Sequence, residues 1–117
     1  MNEAYRALKD PVERAQYLLS LRGIDALAET HTALPPEFLE RELERREAVA
    51  DAHDARDAAR LGELLGEVRA DAAALESSLG DQLDSEDWNT ARERVRELRF
   101  LAKVGEDIDA ALAEIES

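Results

Sequence analysis

Cysteine is absent from this chain of 117 residues. The protein therefore has no disulfide, no thiolate nucleophile and no cysteine ligand for a metal. Proline and glycine are also scarce, with three and five copies. Because these two residues are the strongest local breakers of regular structure, their scarcity leaves long stretches that one helix can span.

Long apolar runs are missing as well. No stretch of about 18 apolar residues is present, which excludes a transmembrane helix on sequence grounds. The first residues provide neither the basic nor the apolar region of a signal peptide, and they are not Arg-rich like a transit peptide. We therefore expect no membrane association.

Basic residues are outnumbered, 15 against 28 acidic residues, for a net charge of −13. A surface this negative repels phosphate groups, so nucleic acid and anionic membranes are poor partners. A basic patch on a protein partner remains compatible with it. The alternative explanation of the charge is simple solubility, or adaptation to a salty cytoplasm.

The residues that are abundant, namely Ala, Leu, Glu and Arg, are strong helix formers. Residues 2–9 are predicted to end one helix, and a second runs from Pro11 to a stop at Gly23. A linker follows at residues 24–35, and Pro36 opens the next helix. Asp84 or Ser85 is a candidate cap for the last helix. The prediction is an all-α fold, an antiparallel three-helix bundle preceded by a short helical segment.

Apolar residues recur at steps of three and four in the second half of the chain, as on one face of a helix. We expect this stripe to form the core of the bundle. The residues predicted to be inside are Leu61, Leu65, Val68, Leu75, Trp88, Val95 and Leu98.

Catalytic motifs are missing, and we predict neither an enzyme nor a bound cofactor. The two histidines, His31 and His53, do not form a metal-binding pair. His53 with Asp51, Asp54 and Asp57 could hold a divalent ion weakly, but an exposed histidine at a helix end is the favoured interpretation. No Gly-rich phosphate loop or nucleophile elbow occurs.

Three blocks of sequence are specific. Residues 2–11 and 14–23 read NEAYRALKDP and RAQYLLSLRG, residues 38–47 read FLERELERRE, and residues 83–88 and 98–103 read LDSEDW and LRFLAK. In this order and spacing they resemble the HscB family of iron–sulfur cluster co-chaperones. The resemblance covers essentially the whole chain.

The resemblance implies a division into a J-domain remnant at residues 1–22, a linker at 23–35 and a C-terminal bundle at 36–117. It implies a bacterial cytoplasmic adaptor that binds the scaffold IscU and delivers it to the Hsp70-class chaperone HscA. The family's His-Pro-Asp loop, which stimulates HscA, does not occur in these 117 residues. We therefore expect the action on HscA to be impaired.

The family's scaffold-binding surface maps onto one helix and one aromatic residue. The positions implied by the motifs are Leu39, Glu40, Leu43, Glu44, Glu47, Asp51 and Phe100. Glu40 departs from the family, which usually has Met there, so it should weaken the apolar half of the interface.

Helical periodicity gives an independent test of these positions. Phe100 lies near 120° on its helix, away from the core stripe at about 220–360°, which favours a binding anchor over core packing. Leu39 and Leu43 share an arc with Phe38 and Val49, so pattern alone leaves core and interface equally open. The alternative to a scaffold-binding adaptor is a structural or oligomerising bundle without a role in cluster assembly.

Overall fold

The computed structural model describes residues 11–24 and 34–117. These residues form four helices, α1 (Pro11–Leu21), α2 (Pro36–Asp54), α3 (Ala58–Asp84) and α4 (Trp88–Glu116), and no strand. The all-α prediction is confirmed. The predictions for residues 2–9 and for most of the linker, including His31, lie outside the described residues. No helix within the described ranges is both long and apolar enough to cross a membrane.

Three helix ends use the same backbone arrangement. After α1, the Ile24 N–H donates to the Leu19 carbonyl, and Gly23 takes the left-handed φ of 76° that glycine adopts at no steric cost. The turns after α2 and α3 repeat this bonding, with φ values of 54° at Arg56 and 60° at Glu86. The sequence predicted the stop at Gly23, but left-handed Arg and Glu residues carry no comparable signal.

Aspartates cap the two helices that follow these turns. The Arg60 N–H donates to Asp57 Oδ1 at 3.0 Å, and the Thr90 N–H donates to Asp87 Oδ1 at 3.3 Å. Each carboxylate satisfies one of the free N–H groups at a helix start. The cap of α4 is therefore Asp87, and the prediction of Asp84 or Ser85 was wrong by two or three residues.

The chain divides into two compact units, and α3 and α4 contribute to both. The first combines α1 with Ala73–Arg99. Here α1 lies antiparallel to the start of α4, because Arg99 donates to Gln16 while the Arg22 guanidinium lies 4.8 Å from the Trp88 ring centroid. The buried apolar residues of this unit are Ala15, Leu19, Leu79, Leu83, Ala91, Val95 and Leu98.

The second unit contains Pro35–Ala72 and Phe100–Ser117. Its α2 runs parallel to the end of α4, with Phe38 beside Phe100 at one end and His53 beside Glu114 at the other. The segment of α3 runs the other way, so three helical segments pack in alternating directions. Its buried apolar residues are Phe38, Ala52, Leu61, Leu64, Val68, Leu101, Val104, Ile108 and Ala111.

The predicted core is correct for Leu61, Val68, Val95 and Leu98, which are buried. Three other members, Leu65, Leu75 and Trp88, are only half-buried. Trp88 begins α4, where no preceding turn covers it, and an arginine lies over its ring. The domain boundaries that the resemblance implied, 1–22, 23–35 and 36–117, stay a prediction.

Candidate functional site

Helix α2 reverses the usual distribution of polar and apolar side chains. Leu39 is 39% exposed and Leu43 is 63% exposed, whereas Glu42 is 0% exposed and Arg45 is 9% exposed. Charged side chains are rarely buried without partners, and two leucines one turn apart in water lose the stabilisation that burial provides. The question left open by the sequence is thereby answered: Phe38 faces the core, and Leu39 and Leu43 do not.

The buried charges of α2 form a network with α3. Arg45 Nη1 donates to Glu42 Oε1 at 3.1 Å, and Arg45 Nη2 donates to Asp71 Oδ2. The other Glu42 oxygen, Oε2, is buried without a hydrogen bond, and Arg41 Nε lies 3.9 Å from it. Burial raises the pKa of Glu42 above its ordinary value, and the positive charges of Arg45 and Arg41 oppose this only in part.

Phe100 is half-buried beside α2. Its ring meets the buried Phe38 ring edge to face, with centroids 5.7 Å apart and planes inclined at 80°, a favourable geometry for two aromatic rings. The Arg46 guanidinium lies 5.9 Å from the Phe100 centroid. Because Arg46 follows Leu43 by three residues, it extends the same side of α2. The exposed leucines and the open part of Phe100 therefore belong to one side of this unit.

The four predicted acidic residues are all exposed and form a stripe along α2. Glu40, Glu44, Glu47 and Asp51 follow one another at steps of four, three and four residues. These steps place them on one helix face, next to the side that carries Leu43. We call Leu39, Leu43 and Phe100, together with this acidic stripe, the docking face.

An open groove of about 250 Å³ adjoins the docking face. Its lining residues are Arg46, Val49, Ala50, Val104 and Asp107. Sequence reasoning did not include them in the site. One signal was available, since Val104 and Ala111 follow Phe100 by four and eleven residues and so form a second apolar row on α4.

His53 lies beside a carboxylate of α4. Its Nε2 lies 3.0 Å from Glu114 Oε2. Across residues 11–24 and 34–117, no three acidic or histidine side chains are grouped so that they could hold a metal ion. The candidate site of this part of the chain is thus an exposed surface that combines apolar side chains with negative charge.

The fold and this face define an all-helical interaction module. A family model, the HscB C-terminal oligomerisation domain, matches residues 34–109. The chain therefore belongs to the HscB family. A co-chaperone protein HscB homolog from Burkholderia multivorans is 45% identical over 116 residues, which are 99% of this chain and 66% of that protein.

Solved structures agree with the family. Chaperone HscB from Vibrio cholerae superposes with a TM-score of 0.80 at 32% identity, over 97% of this chain and 66% of that one. The Jac1 co-chaperone from Saccharomyces cerevisiae gives a TM-score of 0.73 at 28% identity, over 92% of this chain and 72% of that one. The chain spans slightly less than two-thirds of the length of its curated relatives.

Proposed function

We propose that this chain is the adaptor part of a co-chaperone for iron–sulfur cluster assembly. Its docking face binds an IscU-type scaffold protein, which it delivers to an HscA-type Hsp70 partner. The observation that carries the proposal is the reversal in α2, where two leucines are exposed while a glutamate and an arginine are buried. Selection for stability alone favours the opposite arrangement, so the exposed leucines point to a binding role.

The role of each part of the docking face follows from its chemistry. Leu39, Leu43 and Phe100 supply apolar anchors, which dominate the free energy of most protein interfaces. In the acidic stripe, Glu44, Glu47 and Asp51 attract a basic surface on the scaffold and set the orientation of docking, whereas Glu40, next to Leu39, reduces the apolar area. Raising the salt concentration from about 0.05 to 0.5 M should therefore slow association, because the Debye length shortens and exposed charges are screened.

The first test is Leu43→Ala, with binding to a purified IscU-type scaffold measured by calorimetry. Leu43 is 63% exposed, and Leu21 on α1 is 64% exposed, which makes Leu21→Ala a matched control. We expect Leu43→Ala to weaken binding by more than about 1 kcal/mol, the usual threshold of a hot spot, and Leu21→Ala to leave it unchanged. Equal affinities for the two variants and the unmodified chain would contradict the proposal.

The relation to an HscA-type chaperone is tested by its ATPase activity. The His-Pro-Asp tripeptide is absent from the 117 residues. We expect the chain alone to leave the single-turnover ATPase rate of an HscA-type chaperone unchanged. A several-fold acceleration in the absence of scaffold would show that the chain acts on the chaperone through other residues.

The alternative function, a structural or oligomerising bundle, is less well supported. The relatives at 44–45% identity over nearly the whole chain are described as co-chaperones. A dimer that hides Leu39 and Leu43 at micromolar concentration would support the alternative, and a monomeric mass independent of concentration would count against it.

A further inference from the structure

Arg45 ties α2 to α3 at a buried position. Its side chain is 8% exposed, and its guanidinium pairs with Glu42 on its own helix and with Asp71 on α3. The pair with Glu42 spans three residues of one helix, so it moves with α2 as a unit. The pair with Asp71 is different, because it forms only at one rotation of α2 about its axis.

That rotation matters because α2 has two faces that could point inward. The face that is buried carries Phe38, Glu42, Arg45 and Ala52. The neighbouring face, about 100–140° round the helix, carries Leu39, Leu43 and Ala50, all exposed. Rolling α2 by that angle would bury the two leucines and return Glu42 and Arg45 to water, which the hydrophobic effect and charge solvation both favour. It would also expose Phe38 and Ala52, so the apolar terms of the two orientations partly cancel.

We propose that the Arg45–Asp71 ion pair sets the roll of α2 and thereby keeps Leu39 and Leu43 in the docking face. Arg45 and Asp71 are then positioning residues, since they act on the scaffold only through the leucines. The pair suits this task because the Arg45 guanidinium is buried, although the Asp71 side chain is 43% exposed. Without Asp71, the guanidinium keeps its pair with Glu42 but loses the carboxylate from α3, and a buried charge that is only partly compensated is destabilising. The link to binding rests on the function proposed above.

The experiment measures which face of α2 is accessible. Because the chain has no cysteine, a single introduced thiol reports on one position. Ala50 is exposed and Ala52 is 5% exposed, and two residues on a helix face nearly opposite directions. Ala50→Cys and Ala52→Cys thus form a matched pair, and the rate of thiol labelling is measured in each, with and without Asp71→Ala.

In the presence of Asp71→Ala we expect labelling at position 50 to slow and labelling at position 52 to accelerate. Each change should be at least about twofold if half or more of the molecules adopt the rolled state. Glu67→Ala is the control, because it also removes one carboxylate from α3, but its pair with Arg60 is exposed. This control should leave both labelling rates unchanged.

The other outcomes overturn the proposal. General loosening of the fold would accelerate labelling at position 52 without slowing it at position 50, and the ion pair would then be only a stabilising contact. Unchanged rates at both positions would show that apolar packing alone fixes the roll.

Binding provides the second measurement. In the chain without introduced thiols, Asp71→Ala should raise the apparent Kd for an IscU-type scaffold by the factor by which the docking-competent population falls. A rolled helix with unchanged affinity would refute the positioning role. Absence of binding by the unmodified chain would instead refute the proposed function, and the labelling rates would still decide whether Arg45 sets the roll.

Discussion

Helices α2 and α3 pack against each other in one unit, yet they differ in which kinds of side chain they bury. In α3 the buried side chains are aliphatic, Leu61, Leu64 and Val68 among them, and no large apolar side chain of this helix is prominently exposed. In α2 a glutamate and an arginine are buried, whereas Leu39 and Leu43 are 39% and 63% exposed. Full burial of a leucine is worth about 1.5–3 kcal/mol, so α2 forgoes stabilisation that α3 obtains. On the function proposed above, stability determines the sequence of α3, whereas binding determines part of the sequence of α2.

The largest expected effect comes from truncating one leucine in each helix. Leu64 on α3 is 1% exposed, and Leu64→Ala should lower the free energy of unfolding by about 2–5 kcal/mol, because it leaves a cavity. Leu43→Ala should change it by less than about 0.5 kcal/mol. Urea denaturation followed by circular dichroism measures both. Similar losses would mean that Leu43 is part of the core and that the two helices do not differ.

Much of the fold could be predicted from the sequence, because period and breakers are local signals. The spacing of Leu61, Val68 and Val95 gave the core, and Gly23 gave the end of α1. Half-burial of Leu75 and Trp88 could not be predicted in this way, since it depends on which elements happen to cover each position.

The docking face is harder to derive from pattern alone. A charged residue is normally assigned to the surface, so the burial of Glu42 and Arg45 had no local signal. The α3 partner of Arg45, Asp71, lies 26 residues further along the chain. On the inference drawn above, the exposure of Leu39 and Leu43 follows from that tertiary contact. The resemblance to a family pointed to these leucines where periodicity left two possibilities, and their role in binding stays a prediction.

Phe100 is intermediate between the buried Leu64 and the exposed Leu43. Its substitution should therefore lower both stability and scaffold affinity. Phe100→Ala removes a half-buried ring that packs on Phe38, so we expect unfolding to become easier by about 1.5–2.5 kcal/mol, roughly half the cost at a fully buried site. Scaffold affinity should also fall by more than about 1 kcal/mol. The periodicity of α4 placed Phe100 away from the core stripe, and the contact with the buried Phe38 shows that its ring also contributes to packing.

The two effects of Phe100→Ala can be separated. Binding is measured by calorimetry well below the melting temperature, where the folded fraction is close to one. Phe100→Leu restores apolar contact without the ring, so it should recover more of the stability than of the affinity. Loss of stability with intact affinity would remove Phe100 from the docking face.

The buried Glu42 of α2 should make the free energy of unfolding depend on pH. Its pKa is raised above 4.5, so over the interval between 4.5 and the raised value the folded state retains a proton that the unfolded state has released. The contribution of Glu42 to stability therefore falls as the pH rises through this interval, and it is constant below and above it. We expect the unfolding free energy of the unmodified chain, minus that of Glu42→Gln, to decline with rising pH in this interval.

Glu44→Gln is the control, because Glu44 is exposed on the same helix. It removes the same charge without touching the buried network of Glu42 and Arg45, so a decline seen only for Glu42→Gln belongs to the buried carboxylate. A difference for Glu42→Gln that increases with pH would mean that the arginines stabilise the carboxylate more than burial destabilises it.

The smallest effect concerns a second unfavourable feature of α2, which lies at its end and has no part in the docking face. Arg56 has a φ of 54°, a left-handed conformation that disfavours side chains with a Cβ, whereas the preceding Ala55 is right-handed with a φ of −79°. Arg56→Gly relieves this strain but loses a hydrogen bond of 3.3 Å to the Ile115 carbonyl and makes the unfolded chain more flexible. We expect a net gain of about 0.5 kcal/mol in unfolding free energy and no change in scaffold affinity.

Ala55→Gly is the adjacent control. It should lower the unfolding free energy by about 0.5–1 kcal/mol, because it adds flexibility without relieving strain. If Arg56→Gly destabilises the chain as much as Ala55→Gly does, the contacts of the Arg56 side chain outweigh the strain. This end of α2 would then be adapted to stability, in contrast to the exposed leucines.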